Sequence, residues 1–247
     1  MSDAFDHRHA AAHRENADPN WVDAAEEAEV ERSARSSAHS PVEAPLALVE
    51  TAFLASTASL IWLVNSYFPP GPLLRIFFPV PIALAYLRWG ARTGWMAALT
   101  TGFLLSILMG PPRSVLYLVP YGVMGVQFGA MWRRGVPWPL SVPVGALLGT
   151  LGFFFRIALL SVFVGEDLWR YTIAQVAGLI DWGLIQLGIV AQPSLGVIQT
   201  AALGMVFVEN LVYAFVVHLV SLVLLGRLGV PIPEPPRWVR ALLGSRG

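Results

Sequence analysis

Residues 195–225 read LGVIQTAALGMVFVENLVYAFVVHLVSLVLL, and this run decides what kind of molecule the chain is. A helix that crosses the hydrocarbon core of a bilayer needs about 20 consecutive, mostly apolar residues at 1.5 Å each. The run exceeds that and is long enough to span with tilt. Its only carboxylate is Glu209 and its only histidine is His218. Working back toward the N-terminus, five more runs of this kind appear. Leu46–Phe68 is stopped by Pro69-Pro70-Gly71-Pro72, a stiff turn that cannot continue a helix. Leu73–Leu87 is short and interrupted by Pro79 and Pro81. Thr93–Met109 is closed by Gly110-Pro111-Pro112. Val115–Trp132 follows, then Trp138–Val164, which carries Pro139 and Pro143 in its first turns.

The composition agrees. Hydrophobic residues make up 55% of the 247, charged residues 13%, and the mean hydropathy is +0.61. Ordinary soluble domains carry about 25% charged residues. Nucleic-acid-binding domains and most soluble enzymes are excluded on this ground. There is no cysteine, hence no disulfide, zinc–thiolate or thiol chemistry. Every basic residue is arginine, which removes Schiff-base chemistry and the phosphate-loop lysine.

Leu168–Val190 is apolar enough to span, yet it carries Arg170, Gln175, Asp181 and Gln186. At 100° per residue Gln175 and Gln186 share one side, and Arg170 and Asp181 another. Two polar stripes fit a helix packed among others or partly inserted, not a simple surface helix. Charge counting then selects six spans. With the N-terminus inside, eight arginines (88, 92, 133, 134, 227, 237, 240 and 246) face inward, and three (75, 113 and 170) lie near the outer face. That follows the positive-inside bias. A seventh span would reverse the four C-terminal arginines.

Residues 1–45 hold ten acids and four arginines, and residues 46–247 hold six acids and twelve arginines, nets of −6 and +6. The acidic stretch has almost no periodic apolar pattern and reads as a disordered tail, with a short helix possible across Trp21–Arg35. It has neither the positive start nor the apolar core of a signal peptide. His7, His9 and His13 form a short cluster that reads as solvated sooner than as a metal site. The fold expected is an all-α integral membrane protein. It has a disordered acidic tail (1–45), a six-helix membrane domain (46–226) with an extra polar helix at about 168–190, and a short basic C-terminal tail (227–247).

Two stretches carry a family resemblance: Phe78-Pro79-Val80-Pro81-Ile82 through Tyr86-Leu87-Arg88-Trp89-Gly90 and Gly94, and Leu108-Met109-Gly110-Pro111-Pro112 with Pro120-Tyr121-Gly122-Val123-Met124-Gly125. They resemble the YybS-like family of bacterial membrane proteins, particularly its cyanobacterial and chloroplast branch. That family in turn resembles the S components of energy-coupling factor (ECF) vitamin transporters, and the rod-shape protein MreD is similar at a greater distance. The resemblance covers roughly residues 46–226. It implies six helices with both termini cytoplasmic (or stromal), in a bacterial inner membrane or a thylakoid. It also implies docking to a T subunit, and through it to ATPases, by small residues on the first helix. The matching positions are Ala47, Thr51, Ala55 and Ser59. The acidic tail and the polar 168–190 insertion depart from the vitamin-binding pattern, and no vitamin-specific motif is present.

Ionisable groups at membrane depth cost about 2.5–3.5 kcal/mol each on insertion scales, so each requires an explanation. The preferred reading for Arg156 and Glu209 is an ion pair. The alternatives are a ligand cavity built with Asn210, and a protonated Glu209. His218 reads first as a hydrogen-bonded packing residue, then as a proton carrier or ligand contact. Arg75 and Arg113, with Arg170, read as snorkelling side chains or as a cationic rim for an anionic solute. The small residues of the first helix serve internal packing or a docking surface. No catalytic constellation or cofactor motif appears. The expected function is a small-solute-binding subunit of a membrane transport complex. The alternative is a non-transporting scaffold or assembly factor that docks other membrane proteins.

Overall fold

The computed structural model describes residues 29, 43–68, 71–186, 188 and 193–242. The chain divides into units of residues 1–46 and 47–247, and the second carries the apolar helices. The histidine cluster and most of the expected disordered tail (1–45) lie outside the described residues, but residues 43–45 of that tail are helical and open the first membrane helix. Of Trp21–Arg35 only Glu29 is described, and it is helical and exposed.

Every regular element among the described residues is helical. In chain order they are α1 (Glu43–Tyr67), a 3₁₀ helix (Gly71–Phe77), α2 (Val80–Trp89), α3 (Ala91–Met109), α4 (Pro111–Tyr117), a π-helical turn (Leu118–Gly122), α5 (Val123–Arg133), α6 (Trp138–Val164), α7 (Leu168–Gln186), α8 (Leu195–Arg227) and α9 (Arg237–Leu242). Four helical stretches are long and apolar enough to cross a membrane: Pro45–Tyr67, Pro111–Arg133, Trp138–Val164 and Leu195–Arg227.

Prolines decide where several elements begin and bend. The run expected at Leu73–Leu87 is two pieces, because the chain turns at Phe78-Pro79 and α2 starts afresh with Pro81 in its first turn. Pro111 and Pro112, expected to lie in a loop, instead open α4, where a missing N–H costs nothing. Pro120 falls inside the same rod and coincides with the π-turn, so Pro111–Arg133 is continuous but locally widened. Gly165 takes φ +77° and ends α6. Asp167 then caps α7, its Oδ1 accepting from the N–H groups of Trp169 (3.0 Å) and Arg170 (3.2 Å).

Small residues let the helices meet closely. A Cβ on Gly125 would sit 2.7 Å from the Pro79 carbonyl, and one on Gly129 would strike Tyr86, so α5 lies directly on α2. On α6, Gly145 lies under Phe128 and Gly149 under Asn210, which seats α5 and α8 on the same face. One core, at the end where α2, α5 and α8 finish, holds Phe128, Trp132, Trp138, Val217 and Leu225. The other holds Phe78, Leu105, Tyr117 and Tyr121, with Trp62 packed 4.9 Å from Phe78. The stretch expected as a C-terminal tail is partly structural. Ile232 and Val239 join the first core, and Trp138 Nε1 donates to the Pro233 carbonyl at 2.9 Å. Pro231, Pro233, Pro235 and Pro236 stop helix α8 from continuing and turn these apolar residues back onto it.

Candidate functional site

The first core's end gathers the arginines. There Arg88 and Trp89 both donate to the Glu50 carboxylate, the indole at 2.7 Å, and Arg133 donates to the Tyr86 carbonyl at 3.3 Å. The polar residues of the apolar body collect toward the other end, around Arg75.

The 3₁₀ helix presents Arg75, the π-turn presents Tyr121, and α8 presents Glu209, Asn210 and Tyr213. Arg75 Nε donates to the Tyr121 hydroxyl at 2.9 Å, and its Nη1 lies 3.4 Å from Glu209 Oε1. The Tyr213 hydroxyl donates to the backbone carbonyl of Arg75 at 2.9 Å. The guanidinium also stands 5.9 Å from the Tyr121 ring centre and 5.3 Å from that of Tyr213. Arg75 is thus held by two phenols, a carboxylate and two ring faces, a geometry that also fits a cation–π contribution.

Beside it is a cavity of about 20 Å³, with Arg75, Tyr121, Arg156, Asn210 and Tyr213 in its wall. That is room for about one water molecule. Gly149 and Gly152 of α6 form the opposite side. A Cβ at Gly149 would collide with Asn210 Oδ1, and one at Gly152 would come 2.7 Å from Pro120. Asn210 is buried, and its Nδ2 donates to the Val206 carbonyl at 2.8 Å. Arg156 is exposed on one side, and among the described residues it forms no ion pair. The wall therefore carries two guanidiniums, two phenols and an amide, against one neighbouring carboxylate. Such a set suits an anionic oxygen.

This arrangement revises the ion pair read from the sequence. Glu209 pairs with Arg75, not Arg156, because the 3₁₀ segment brings residue 75 to the level of residue 209. Arg156 stands across the cavity from them. Arg113 is exposed on the first turn of α4 and is not part of the cavity. Arg170 pairs with Asp167 at 3.4 Å in an exposed position.

His218 is also apart, nine residues and thus about 13 Å further along α8. It is fully buried. Its Nδ1 lies 2.8 Å from the Ala214 carbonyl, and its Nε2 2.9 Å from Ser141 Oγ. A carbonyl only accepts, so Nδ1 carries the proton and Nε2 of the neutral ring accepts from the serine. Phe128, Trp132 and Trp138 surround the ring at 4.8, 5.1 and 5.3 Å. With both nitrogens bonded and three aromatic walls, His218 is a hydrogen-bonded packing residue.

The small-residue stripe of α1 turns inward. Thr51, Ala55 and Ser59 are buried and Ala47 is half-buried. Thr101 Oγ1 of α3 lies 3.3 Å from the Ala55 carbonyl and Ser59 Oγ 3.5 Å from the Thr101 carbonyl, while each hydroxyl makes its shorter bond within its own helix, to the Ala97 carbonyl at 2.8 Å and the Ala55 carbonyl at 2.9 Å. These residues pack α1 closely against α3.

Sequence reasoning missed Tyr121, Tyr213 and Thr101. For Tyr121 a signal existed: a proline one residue earlier inside an apolar run marks a distorted turn. Tyr213 and Thr101 carry no local mark.

Residues 56–241 match the family model described as Predicted membrane protein (DUF2232). No curated protein and no solved structure matches the chain. With three quarters of its length covered by that model and helices able to cross a membrane, the chain belongs to the DUF2232 family of predicted membrane proteins.

Proposed function

We propose that the protein is a six-span membrane subunit that binds a small anionic solute in the manner of an S component, one anionic oxygen entering the cavity between α6, α8 and the Arg75 segment and the rest of the solute lying outside it beside the exposed Arg156. The observation that carries this reading is the convergence of Arg75, Arg156 and Asn210 on one cavity. Two guanidiniums and an amide, from three elements, meet where a purely structural contact would need one ion pair. The resemblance to S components in the Pro/Gly stretches supports it.

Six crossings require two beyond the four long apolar helices. The 3₁₀ helix of 7 residues and α2 of 10 rise together about 29 Å, and α3 of 19 residues about 28 Å. Both are close to the ~30 Å hydrocarbon thickness. α7 has no buried residue and two charges, which suits a segment that enters and leaves from one side. Docking to a T subunit and its ATPases through α1 falls to the outward face, where Val49, Phe53 and Leu60 are exposed.

The test is a thermal-shift screen of the purified protein against small carboxylates and phosphate esters. A stabilising solute is expected, and Arg156→Ala is expected to remove its effect. No shift across such a panel, with no T subunit co-purifying, contradicts the proposal. A scaffold role is the second reading, favoured by the exposed Trp182 and Ile185 of α7. It is expected to yield a stable membrane-protein complex that Trp182→Ala and Ile185→Ala weaken while leaving the fold intact.

A further inference from the structure

A larger cavity lies at the arginine-rich end, where α2 turns into α3. It has a volume of about 460 Å³ and is lined by Tyr86, Gly90, Ala91, Ala130, Arg133 and Arg134. None of the lining residues is acidic. Glu50, at the same end, is already engaged by Arg88 and Trp89. Arg133 uses Nη1 on the Tyr86 carbonyl, which fixes its guanidinium at the end of α2 and leaves its other donors unengaged among the described residues.

The backbone is shaped for this approach. Gly90 takes φ +92°, and a Cβ there would come 2.7 Å from Arg133 Nη1. Glycine therefore makes the turn and admits the guanidinium at once. Ala91 and Ala130 keep the mouth open with the smallest side chains that favour helix. Two planar guanidiniums with no opposing carboxylate match the oxygens of a phosphate.

The surface of α3 indicates the kind of molecule that carries the phosphate. Trp95, Leu99, Phe103 and Ile107 succeed Ala91 at intervals of four and wind along one side of the helix. All four are exposed. An apolar track thus leads from the cationic mouth into the hydrocarbon region, the layout of a lipid's headgroup and chain and not of a water-soluble anion. We infer that Arg133 and Arg134 hold the phosphate of an anionic phospholipid in this cavity, with an acyl chain along Trp95, Leu99 and Phe103. This site is separate from the Arg75 cavity and rests only on the membrane placement of the chain.

The test is native mass spectrometry of the detergent-solubilised full chain, offered equimolar dioleoylphosphatidylglycerol and dioleoylphosphatidylcholine, with inorganic phosphate in a third arm. The expected result is selective retention of the phosphatidylglycerol, undisturbed by inorganic phosphate at matched concentration. Arg133→Gln with Arg134→Gln is expected to weaken retention about tenfold, the scale of losing charge-assisted hydrogen bonds. Arg227→Gln with Arg237→Gln, which removes the same charge from residues outside the cavity, is expected to retain the lipid. Should the first double variant fail to fold, Ala91→Glu places a carboxylate in the mouth at a helix start that tolerates it, and retention is expected to fall likewise. Equal retention of both lipids, equal loss in both double variants, retention undiminished by Ala91→Glu, or displacement by inorganic phosphate would each overturn the inference.

Discussion

Arg75 and Arg156 share a cavity wall but do different work. Arg75 is bonded to Tyr121 and Glu209, and its carbonyl is bonded by Tyr213. Arg156 reaches the same space with no ion pair among the described residues. Arg75→Ala is therefore expected to destabilise the protein by about 1 kcal/mol, since the Tyr121 phenol and the part-exposed Glu209 carboxylate lose their partner while Tyr213 keeps the backbone carbonyl. Arg156→Ala is expected to stay within about 0.5 kcal/mol, as surface substitutions do, while abolishing solute-dependent stabilisation. Thermal unfolding in one detergent, with and without a stabilising solute, checks both. The glycines give a second contrast. Gly149→Val drives a side chain into Asn210 and is expected to cost about 1–3 kcal/mol. Gly178 on α7 has open space around its missing Cβ, so Gly178→Ala is expected to be neutral or to stabilise by up to about 1 kcal/mol through helix propensity.

At the scale of elements, α1 packs against α3 through the buried Ala55, Ser59 and Thr101, and its other side is exposed. Ala55→Leu is expected to overpack this seam and lower stability by about 1–3 kcal/mol, whereas Phe53→Leu on the exposed side is expected to leave it unchanged. Unfolding by heat or by added denaturing detergent separates the two. The α1 seam also marks the limit of what the amino-acid order conveys. Trp138–Val164 was legible to the residue, because prolines open it, a glycine closes it and nothing polar but Arg156 and a few small hydroxyls interrupts it. The stripe Ala47, Thr51, Ala55, Ser59 announces close packing, but small residues look the same to an internal helix and to a foreign one. Glu209 announces a buried or paired carboxylate. Its choice of Arg75 over Arg156 depends on the Phe78-Pro79 break and the 3₁₀ rise before it, which a pattern of apolar residues does not encode. The π-turn at Leu118–Gly122 belongs to the same class: Pro120 signals a distortion, while the direction in which Tyr121 is re-aimed is set by tertiary packing.

At the scale of the whole molecule, the helices sort their polar groups to two ends. Arg88, Arg92, Arg133 and Arg134 gather where Glu50 and Trp138 lie, and Arg75, Arg156 and Glu209 gather toward the other. Between them run helices whose exposed residues, such as Phe103, Ile107 and Val162, are apolar. Both proposed sites take their meaning from this polarity, one as a solute pocket on the far side and the other as a lipid site on the arginine-rich side. The chain has no cysteine, so single cysteines can be placed without a background. The most direct test is labelling of Arg92→Cys, Arg134→Cys, Arg237→Cys, Arg113→Cys and Asp167→Cys variants in sealed, right-side-out vesicles with a membrane-impermeant maleimide. Residues 113 and 167 are expected to react in intact vesicles, and residues 92, 134 and 237 only after permeabilisation. Reaction of residues 113 and 237 from the same side would contradict six crossings and with them the placement of both sites.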